Sequence, residues 1–252
     1  MSKGLPKLVG IIELLPLPGA PRASEEHPVH ALAYAGTRAV KEALVFMKFG
    51  FDGILLQNSG DFPFYKDSVP PETIASLSVL AAAIRETAPK IKIGIQVLKN
   101  DARAALAVAA VTGADFILVS SGFWSESGAA ALFRERIRLN ANQVLILSEG
   151  DASDDVETAG VDGFATNCLN LAMGVDEFSE RINLLPELKK NGQVILLGSL
   201  LRGAKAKGAT LDLKKVKTFA GVWKKIASKS NFKLKSKMEF KIKSKSRASA
   251  RD

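Results

Sequence analysis

The amino-acid sequence predicts an α/β barrel built from repeated strand–loop–helix units, followed by a separate basic tail. Short runs of Val, Ile and Leu alternate with segments of helical periodicity, which is typical of βαβ units around a parallel sheet. Apolar residues make up 47% of the chain and aromatic residues only 7%, a composition that favours buried parallel strands over an antiparallel sandwich. A length of 252 residues suits one barrel domain or two small domains.

Seven apolar runs are predicted to be strands, one fewer than in a complete (β/α)8 barrel. Only residues 148–161 separate the fifth run from the sixth, which is too short for a full helical crossover. We therefore expect an incomplete barrel or one irregular strand. The predicted strands are Leu8–Leu14, Gly53–Leu56, Ile91–Leu98, Asp115–Val119, Val144–Leu147, Gly163–Thr166 and Val194–Leu197. The predicted helices are Ala33–Phe49, Pro71–Thr87, Asp101–Thr112, Val175–Lys190 and Leu213–Lys225.

Local signals indicate where several of these elements begin. Pro71 can open the second helix because the first helical position needs no N–H donor. Asn100 or Asp101 can cap the third helix. A Gly-x-Asp sequence recurs at the predicted helix-to-strand turns, either as a structural repeat or as ordinary turn chemistry. Its copies begin at Gly50, Gly113 and Gly160.

The counts of cysteine and histidine exclude several kinds of site. The single cysteine, Cys168, rules out an internal disulfide and a cysteine-based zinc site. The two histidines, His27 and His30, are too few for a histidine-rich metal site, and no metal or cofactor is predicted. No 18-residue apolar run and no signal-peptide pattern are present. We expect an intracellular protein that is soluble or peripherally associated with a membrane.

The positive charge of the chain is concentrated at its carboxyl terminus. The net charge is +9, and residues 229–252 contain nine Lys or Arg and two acidic residues, which gives +7. The sequence is therefore divided into a barrel over residues 1–228 and a Lys-rich tail over residues 229–252.

The tail alternates apolar and charged residues, which is a strand period rather than a helical one. Such an arm could add a strand to a partner's sheet, or its lysines could contact the phosphates of RNA or of an anionic membrane. The alternative is a solubilising extension without fixed structure. The candidate partner-binding residues are Phe232, Lys233, Lys235, Phe240, Lys241 and Lys243.

Polar residues follow the predicted strands, and in a parallel barrel the carboxyl ends of the strands carry the functional site. Carboxylates there are candidates for catalysis as proton donors or acceptors, although Asp61 and Asp101 could instead cap a loop and a helix. A turn after the last strand could offer N–H groups to a phosphate, or could be a plain turn. The catalytic candidates are Glu13, Asp61 and Asp101; the ligand-binding candidates are Asn58, Lys99, Asn100, Gly198 and Ser199.

Three segments carry a more specific signal. They are Gly10-Ile-Ile-Glu-Leu-Leu-Pro-Leu-Pro-Gly-Ala-Pro21, the loop Gln57-Asn-Ser-Gly-Asp-Phe-Pro-Phe-Tyr-Lys66, and Val97-Leu-Lys-Asn-Asp-Ala102. Together they resemble the BtpA family (BtpA/SgcQ), closely from about Gly10 to Gly128. The resemblance implies a barrel fold and a link to photosystem I biogenesis, without a settled reaction.

The chain departs from the family pattern at positions that carry charge there. Glu13 stands where the family has His, and Gln57 replaces an acidic residue. Lys99 replaces an Arg and cannot offer a bidentate fork; Gln96 and Leu118 replace an Asn and an Arg. These departures predict a pseudoenzyme that acts through protein contacts, in the assembly or structural support of a larger complex.

Two other functions and one further contact remain open at this point. The first alternative function is a barrel enzyme acting on a small phosphorylated or sugar-like substrate. The second is a protein that associates with RNA or with a membrane through its basic tail. Contact with a second copy of the chain is also open.

Overall fold

The computed structural model describes residues 4–23, 27–66, 68–120, 123, 126–150, 161–167, 178, 193–203 and 209–228. The basic tail, with its candidate partner residues Phe232, Lys233, Lys235, Phe240, Lys241 and Lys243, lies outside the described residues. Of the predicted helix Val175–Lys190, only Phe178 is described. It is buried, and its ring packs edge-on against Phe219 with the centroids 4.9 Å apart.

Strands and helices alternate along the described chain, as expected. The strands are β1 Leu8–Glu13, β2 Gly53–Gln57, β3 Lys92–Gln96, β4 Phe116–Val119, β5 Leu145–Glu149, β6 Gly163–Asn167 and β7 Gln193–Leu197. The helices are α1 Pro28–Phe49, α2 Pro71–Thr87, α3 Ala102–Thr112, α4 Glu126–Arg138 and α5 at 213–228. Short 3-10 turns occupy Ser59–Asp61 and Ser199–Leu201.

The seven described strands close into a parallel barrel. Each strand pairs with its neighbour in chain order, and β7 pairs with β1 to complete the ring. The fifth and sixth strands pair directly, with Leu147 opposite Gly163. The barrel predicted from the sequence is thus confirmed, including its seven predicted strands.

The first helix begins earlier than the sequence pattern suggested. α1 starts at Pro28 rather than Ala33, with the His27 Nδ1 accepting a hydrogen bond from the Val29 N–H at 3.4 Å. Proline is well tolerated at the first helical position because that N–H has no partner in the helix. Helix α4 was not among the predicted helices.

Apolar side chains form two layers, one on each side of the strands. The outer layer packs the strands against the helices and includes Phe46 of α1 and Leu77 of α2. The inner layer fills the barrel, as in other parallel barrels. Its buried members are Val9, Ile11, Leu55, Phe116, Leu118, Leu147, Ala165, Val194 and Leu196.

The repeated Gly-x-Asp sequence holds the amino-terminal end of the barrel together. Asp52, Asp115 and Asp162 each precede an even-numbered strand. Each carboxylate accepts a backbone N–H from the preceding strand, at 3.0 Å from Leu8, 3.0 Å from Ile93 and 2.8 Å from Ile146 respectively. The repeat therefore belongs to the framework at the end opposite the candidate site.

Candidate functional site

Four polar side chains form a ring at the carboxyl mouth of the barrel. Residues two apart on a strand face the same side of the sheet, so the polar residues that follow the inward-facing Ile11, Leu55 and Leu147 by two positions also face inward. On β3 the inward position two residues earlier is Gly94, where a Cβ would collide with the inner-layer ring of Phe116. The members of this mouth ring are Glu13, Gln57, Gln96 and Glu149.

The three members from β1, β2 and β3 are direct neighbours. Glu13 lies opposite Gln57 in the strand register, and Gln57 lies opposite Gln96. The Gln57 Nε2 donates a 2.7 Å hydrogen bond to the Gln96 Oε1, and Gln96 is only 4% exposed. Two neutral amide side chains are thus bonded to each other at the mouth.

Asn58 joins the loop after β2 to the loop after β3. Its Oδ1 accepts the Leu98 N–H at 2.7 Å, and its Nδ2 donates to the Leu98 carbonyl at 3.4 Å and to the Asp61 Oδ2 at 3.1 Å. Both amide hydrogens are therefore used within the chain. Asn58 is 1% exposed, so its side chain serves to hold the two loops together.

Asp61 joins the loop after β2 to the loop after β1. Its Oδ1 accepts the Leu17 N–H at 2.8 Å, and its Oδ2 accepts from Asn58. Burial raises the pKa of the Asp61 carboxyl, because desolvation outweighs the two hydrogen bonds that favour the ionised form.

The same two loops enclose a cleft beside the mouth. Gly60 packs so closely on the first loop that a Cβ there would collide with the Pro16 nitrogen and lie 2.7 Å from the Leu14 carbonyl. The cleft encloses about 290 Å³ of space that includes open solvent, and Asp61, Tyr65 and Thr73 line it together with apolar residues. A carboxyl with a raised pKa therefore lies at the edge of a small cleft that is open to solvent.

Asp101 caps helix α3 and holds a neighbouring loop. Its Oδ1 accepts the Ala104 N–H at 2.9 Å, and its Oδ2 accepts the Val69 N–H at 2.9 Å. Asn100 precedes it with a positive φ of 68°, and Lys99 is exposed. The two oxygens of Asp101 are thus engaged by backbone donors, as the capping alternative expects.

Glu13 lies in a buried charge cluster that sequence reasoning did not find. Its Oε2 is 3.0 Å from the Arg202 Nε. Arg202, 1% exposed, also donates from Nη1 and Nη2 to the two carboxylate oxygens of Glu42 at 2.9 and 3.1 Å, and Arg38 donates to Glu42 at 3.1 Å. The charge of Glu13 is therefore balanced by an arginine that is itself shared.

Arg202 also satisfies backbone carbonyls where the sheet pairing stops. The pairing of β1 with β7 ends at Gly10 opposite Leu197. The Ile11 carbonyl, the next one on β1 that points towards β7, accepts a hydrogen bond from the Arg202 Nη2 at 3.2 Å. No local sequence pattern predicts this cluster, because the partners of Arg202 lie 160 and 191 positions away in the chain. The candidate ligand-binding residues Gly198 and Ser199 come shortly before Arg202, at the start of a single 3-10 turn, and Gly198 is buried.

Within the described residues, no group of three or more His, Cys, Asp or Glu side chains is arranged to hold a metal ion. In the same part of the chain, no helix is both long and apolar enough to cross a membrane.

Comparison with known proteins gives one family over the first part of the chain. The sequence model of the BtpA family matches residues 5–149. An uncharacterized protein from Archaeoglobus fulgidus is 39% identical over 118 residues, which are 47% of this chain and 45% of the relative. The photosystem I biogenesis protein BtpA from Synechocystis is 34% identical over 140 residues, 55% of this chain and 45% of that protein. The aligned region thus spans about half the length of these curated relatives.

Solved structures resemble the chain at the level of the fold. TrpF from Jonesia denitrificans superposes with a TM-score of 0.50 at 12% sequence identity, covering 88% of this chain and 98% of that one. Similarity at this identity supports a TIM-type barrel and nothing about the reaction.

Proposed function

The chain belongs to the BtpA family, and we propose that it is a pseudoenzyme whose barrel acts through protein contacts, in the assembly or structural support of a larger complex. The observation that carries the proposal is that each candidate carboxylate is engaged by the protein itself. Asp61 and Asp101 each accept two hydrogen bonds from within the chain, and Glu13 is paired with Arg202.

The hydrogen bonds between the loops favour a structural role for the segments that resemble the family most closely. The loops after β1, β2 and β3 are joined through Asn58, Asp61 and Asp101, so they form one surface of fixed shape beside the mouth. A fixed loop surface is suited to recognising a protein partner, because little conformational entropy is lost on binding.

The kind of partner is suggested by one relative. The Synechocystis protein is named for photosystem I biogenesis, and we extend from it only the general role of helping a larger complex to form. Exposed aromatic residues on the loop after β2, Phe62 and Tyr65, are 43% and 59% exposed and are suitable contact residues.

Two measurements test the proposal. Untagged protein purified from its native source should bring down a defined set of proteins, and the double variant Phe62→Ser/Tyr65→Ser should lose part of that set. A screen of metabolites should show no turnover that both Asp61→Ala and Asp101→Ala abolish. Turnover on the order of 1 per second or more that both folded variants remove would show the proposal to be wrong.

A second candidate is an enzyme acting on a small phosphorylated or sugar-like substrate. It is favoured by the raised pKa of Asp61 at the edge of the cleft, which is a property of groups that transfer protons. In that case Asp61→Asn should abolish turnover while the protein remains folded, and the rate should depend on the ionisation of one carboxyl.

A further inference from the structure

We propose that the barrel docks end-on onto a membrane that contains anionic lipids, through its amino end, where the strands begin and the helices end. In this orientation the mouth and the loop surface beside it face away from the membrane. The inference requires neither turnover nor a protein partner. It rests on the charged side chains at this end, on two exposed aliphatic side chains there, and on the place where the basic tail begins.

Lysine side chains from several elements meet at the amino end. Lys48 lies in the last turn of α1. The side chain of Lys224, near the end of α5, lies over Gly50 at the end of α1, with its Nζ 3.2 Å from where a Cβ on Gly50 would stand. An anionic lipid surface attracts each lysine that comes close to it. The exposed lysines at this end are Lys7, Lys48, Lys90, Lys224 and Lys225.

Most of the described carboxylates at the same end are already held within the chain. The Asp52 Oδ2 accepts the N–H groups of Lys7 and Leu8 at 3.1 and 3.0 Å. Three others form ion pairs with arginines, namely Asp115 with Arg85, Glu135 with Arg138 and Asp162 with Arg136. The paired carboxylates are balanced by their own arginines, so they do not offset the charge of the exposed lysines.

Two exposed aliphatic side chains favour a bilayer over a nucleic acid. Val111 and Ile137 each lie one residue before the end of a helix, in α3 and α4, and they are 74% and 71% exposed. A single exposed aliphatic residue is ordinary, but these two occupy equivalent positions on neighbouring helices. Such side chains can enter the boundary between headgroups and acyl chains, beside lysines that meet the lipid phosphates. RNA offers phosphates to the lysines but no apolar phase to the aliphatic side chains.

The basic tail begins at the same end of the barrel. Helix α5 ends at residue 228, one turn after Lys224 and Lys225, and residues 229–252 carry +7. The segment with most of the net charge is therefore joined to the end that already carries exposed lysines, and both attract the same anionic surface.

Vesicle binding tests the proposal with the full chain. Flotation at about 0.15 M salt should recover the protein with vesicles of roughly 70% phosphatidylcholine and 30% phosphatidylserine, and not with phosphatidylcholine alone. Salt at about 0.5 M should release it, because screening weakens the attraction between exposed charges. Absence of binding to the anionic vesicles, or equal binding to both kinds, overturns the proposal.

Four lysines of α5 separate docking of the barrel from attraction by the tail alone. Lys224→Gln/Lys225→Gln removes two charges at the amino end and should weaken binding to the anionic vesicles about 30-fold. The control Lys214→Gln/Lys217→Gln removes two exposed charges from the same helix, about 10 Å or more farther from that end. Since the Debye length at physiological salt is about 8 Å, the control should lose only about twofold. Equal losses, or no loss in the first variant, would mean that the barrel does not dock by this end.

A second pair of variants distinguishes a bilayer from RNA. Val111→Ser/Ile137→Ser should weaken vesicle binding by about tenfold, because these side chains lose the apolar phase that they enter. The control Val79→Ser/Leu213→Ser, which changes exposed aliphatic residues in the middle of α2 and at the start of α5, should leave it unchanged. Unchanged vesicle binding in the first variant contradicts the proposal. Tighter binding of a uridine oligonucleotide than of the anionic vesicles by the wild type, at the same salt, would identify RNA as the occupant and overturn it as well.

Discussion

Two opposing effects act on the carboxyl of Asp61. Burial disfavours its ionised form, while the Leu17 N–H and the Asn58 amide favour it, and burial has the larger effect on the pKa. The hydrogen bonds nevertheless fix the position of the loop after β1. The fold thus retains a partly buried acid because its two oxygens join two loops, at some cost in stability when the group is ionised.

This balance predicts how stability depends on pH. The pKa of Asp61 in the folded chain lies above the reference value of 3.8, so the stabilisation from its protonated form is complete below that value and is lost as the pH rises through the folded pKa. The free energy of unfolding of the wild type minus that of Asp61→Asn should therefore fall as the pH is raised from below 3.8 towards neutrality. Urea unfolding across this range measures it, and a difference that grows with pH contradicts it.

Asp101 makes a larger structural contribution than an ordinary helix cap. Asp101→Ala removes the acceptor for the Ala104 N–H and leaves the Val69 N–H without its partner. We expect a loss of about 2–4 kcal/mol in the free energy of unfolding, from a cap of about 1 kcal/mol and an unpaired buried donor of about 1–3 kcal/mol.

A second helix cap provides the matched control for that prediction. Asp212 accepts hydrogen bonds from the N–H groups of Lys214 and Lys215 at the exposed start of α5. These two bonds cap the helix and connect it to no other loop. Asp212→Ala should cost only about 1 kcal/mol. Urea unfolding that gives equal losses for the two variants would mean that the Val69 contact adds nothing.

At the scale of elements, the loops after β1 and β2 behave as one unit because Gly60 lets their backbones touch. Gly60→Ala would place a Cβ against the Pro16 nitrogen and the Leu15 carbonyl carbon, and backbone atoms cannot move aside cheaply. We expect a loss of about 1–3 kcal/mol. Gly221→Ala in α5 is the control, since a Cβ there meets nothing within 4 Å and should stabilise the helix by about 0.5–1 kcal/mol. Thermal unfolding that ranks the two variants in the opposite order contradicts the prediction.

The strands could be predicted from the sequence, whereas many contacts of the candidate site could not. A strand buried on both faces leaves a continuous run of Val, Ile and Leu, and for this reason all seven strands were found. The end of α1 was found as well, but its start was not, because the residue before Pro28 is His27, which is not among the preferred N-cap residues. Helix α4 was not predicted, since the run Glu126–Arg138 has little apolar patterning beyond Leu132 and Phe133.

The bonds within the site depend on residues that are far apart in the chain. Asp101 was expected as a possible cap from its position alone, and it is one. The cluster of Arg202 with Glu13 and Glu42 had no local pattern, because it joins residues up to about 190 positions apart. Sequence position placed polar residues at the mouth, but only the register showed that Gln57 and Gln96 bond to each other.

At the scale of the whole molecule, Arg202 links the last strand of the barrel to the first. It follows β7, pairs with Glu13 at the end of β1, and forms a fork with Glu42 in α1. The last strand is thereby attached to the first strand and the first helix by charge as well as by sheet hydrogen bonds. Because a buried arginine without partners is costly, this contact also favours the closed ring over an open sheet.

The basic tail, residues 229–252, lies outside the described residues. The described elements from β1 to α5 already include the closed barrel and both apolar layers, so we propose that deletion of residues 229–252 leaves the thermal stability almost unchanged. The tail carries +7 of the net +9, and we propose that it contributes to partner binding. A large fall in melting temperature on deletion would contradict the first part.

Salt and two sets of substitutions distinguish how such a tail binds. If five of its lysines contact the phosphates of single-stranded RNA, the log–log dependence of affinity on salt should have a slope of about −3.5, and replacing the lysines with Gln should abolish binding.

If the tail instead adds a strand to a partner's sheet, the alternating Phe232 and Phe240 should matter more than the lysines, because main-chain hydrogen bonds and side-chain pockets supply the affinity. Salt would then have little effect, while Phe240→Asp would release the partner. One pull-down with the Lys→Gln tail and with Phe240→Asp separates these outcomes, and unchanged recovery with both variants would mean that the tail contributes nothing to binding.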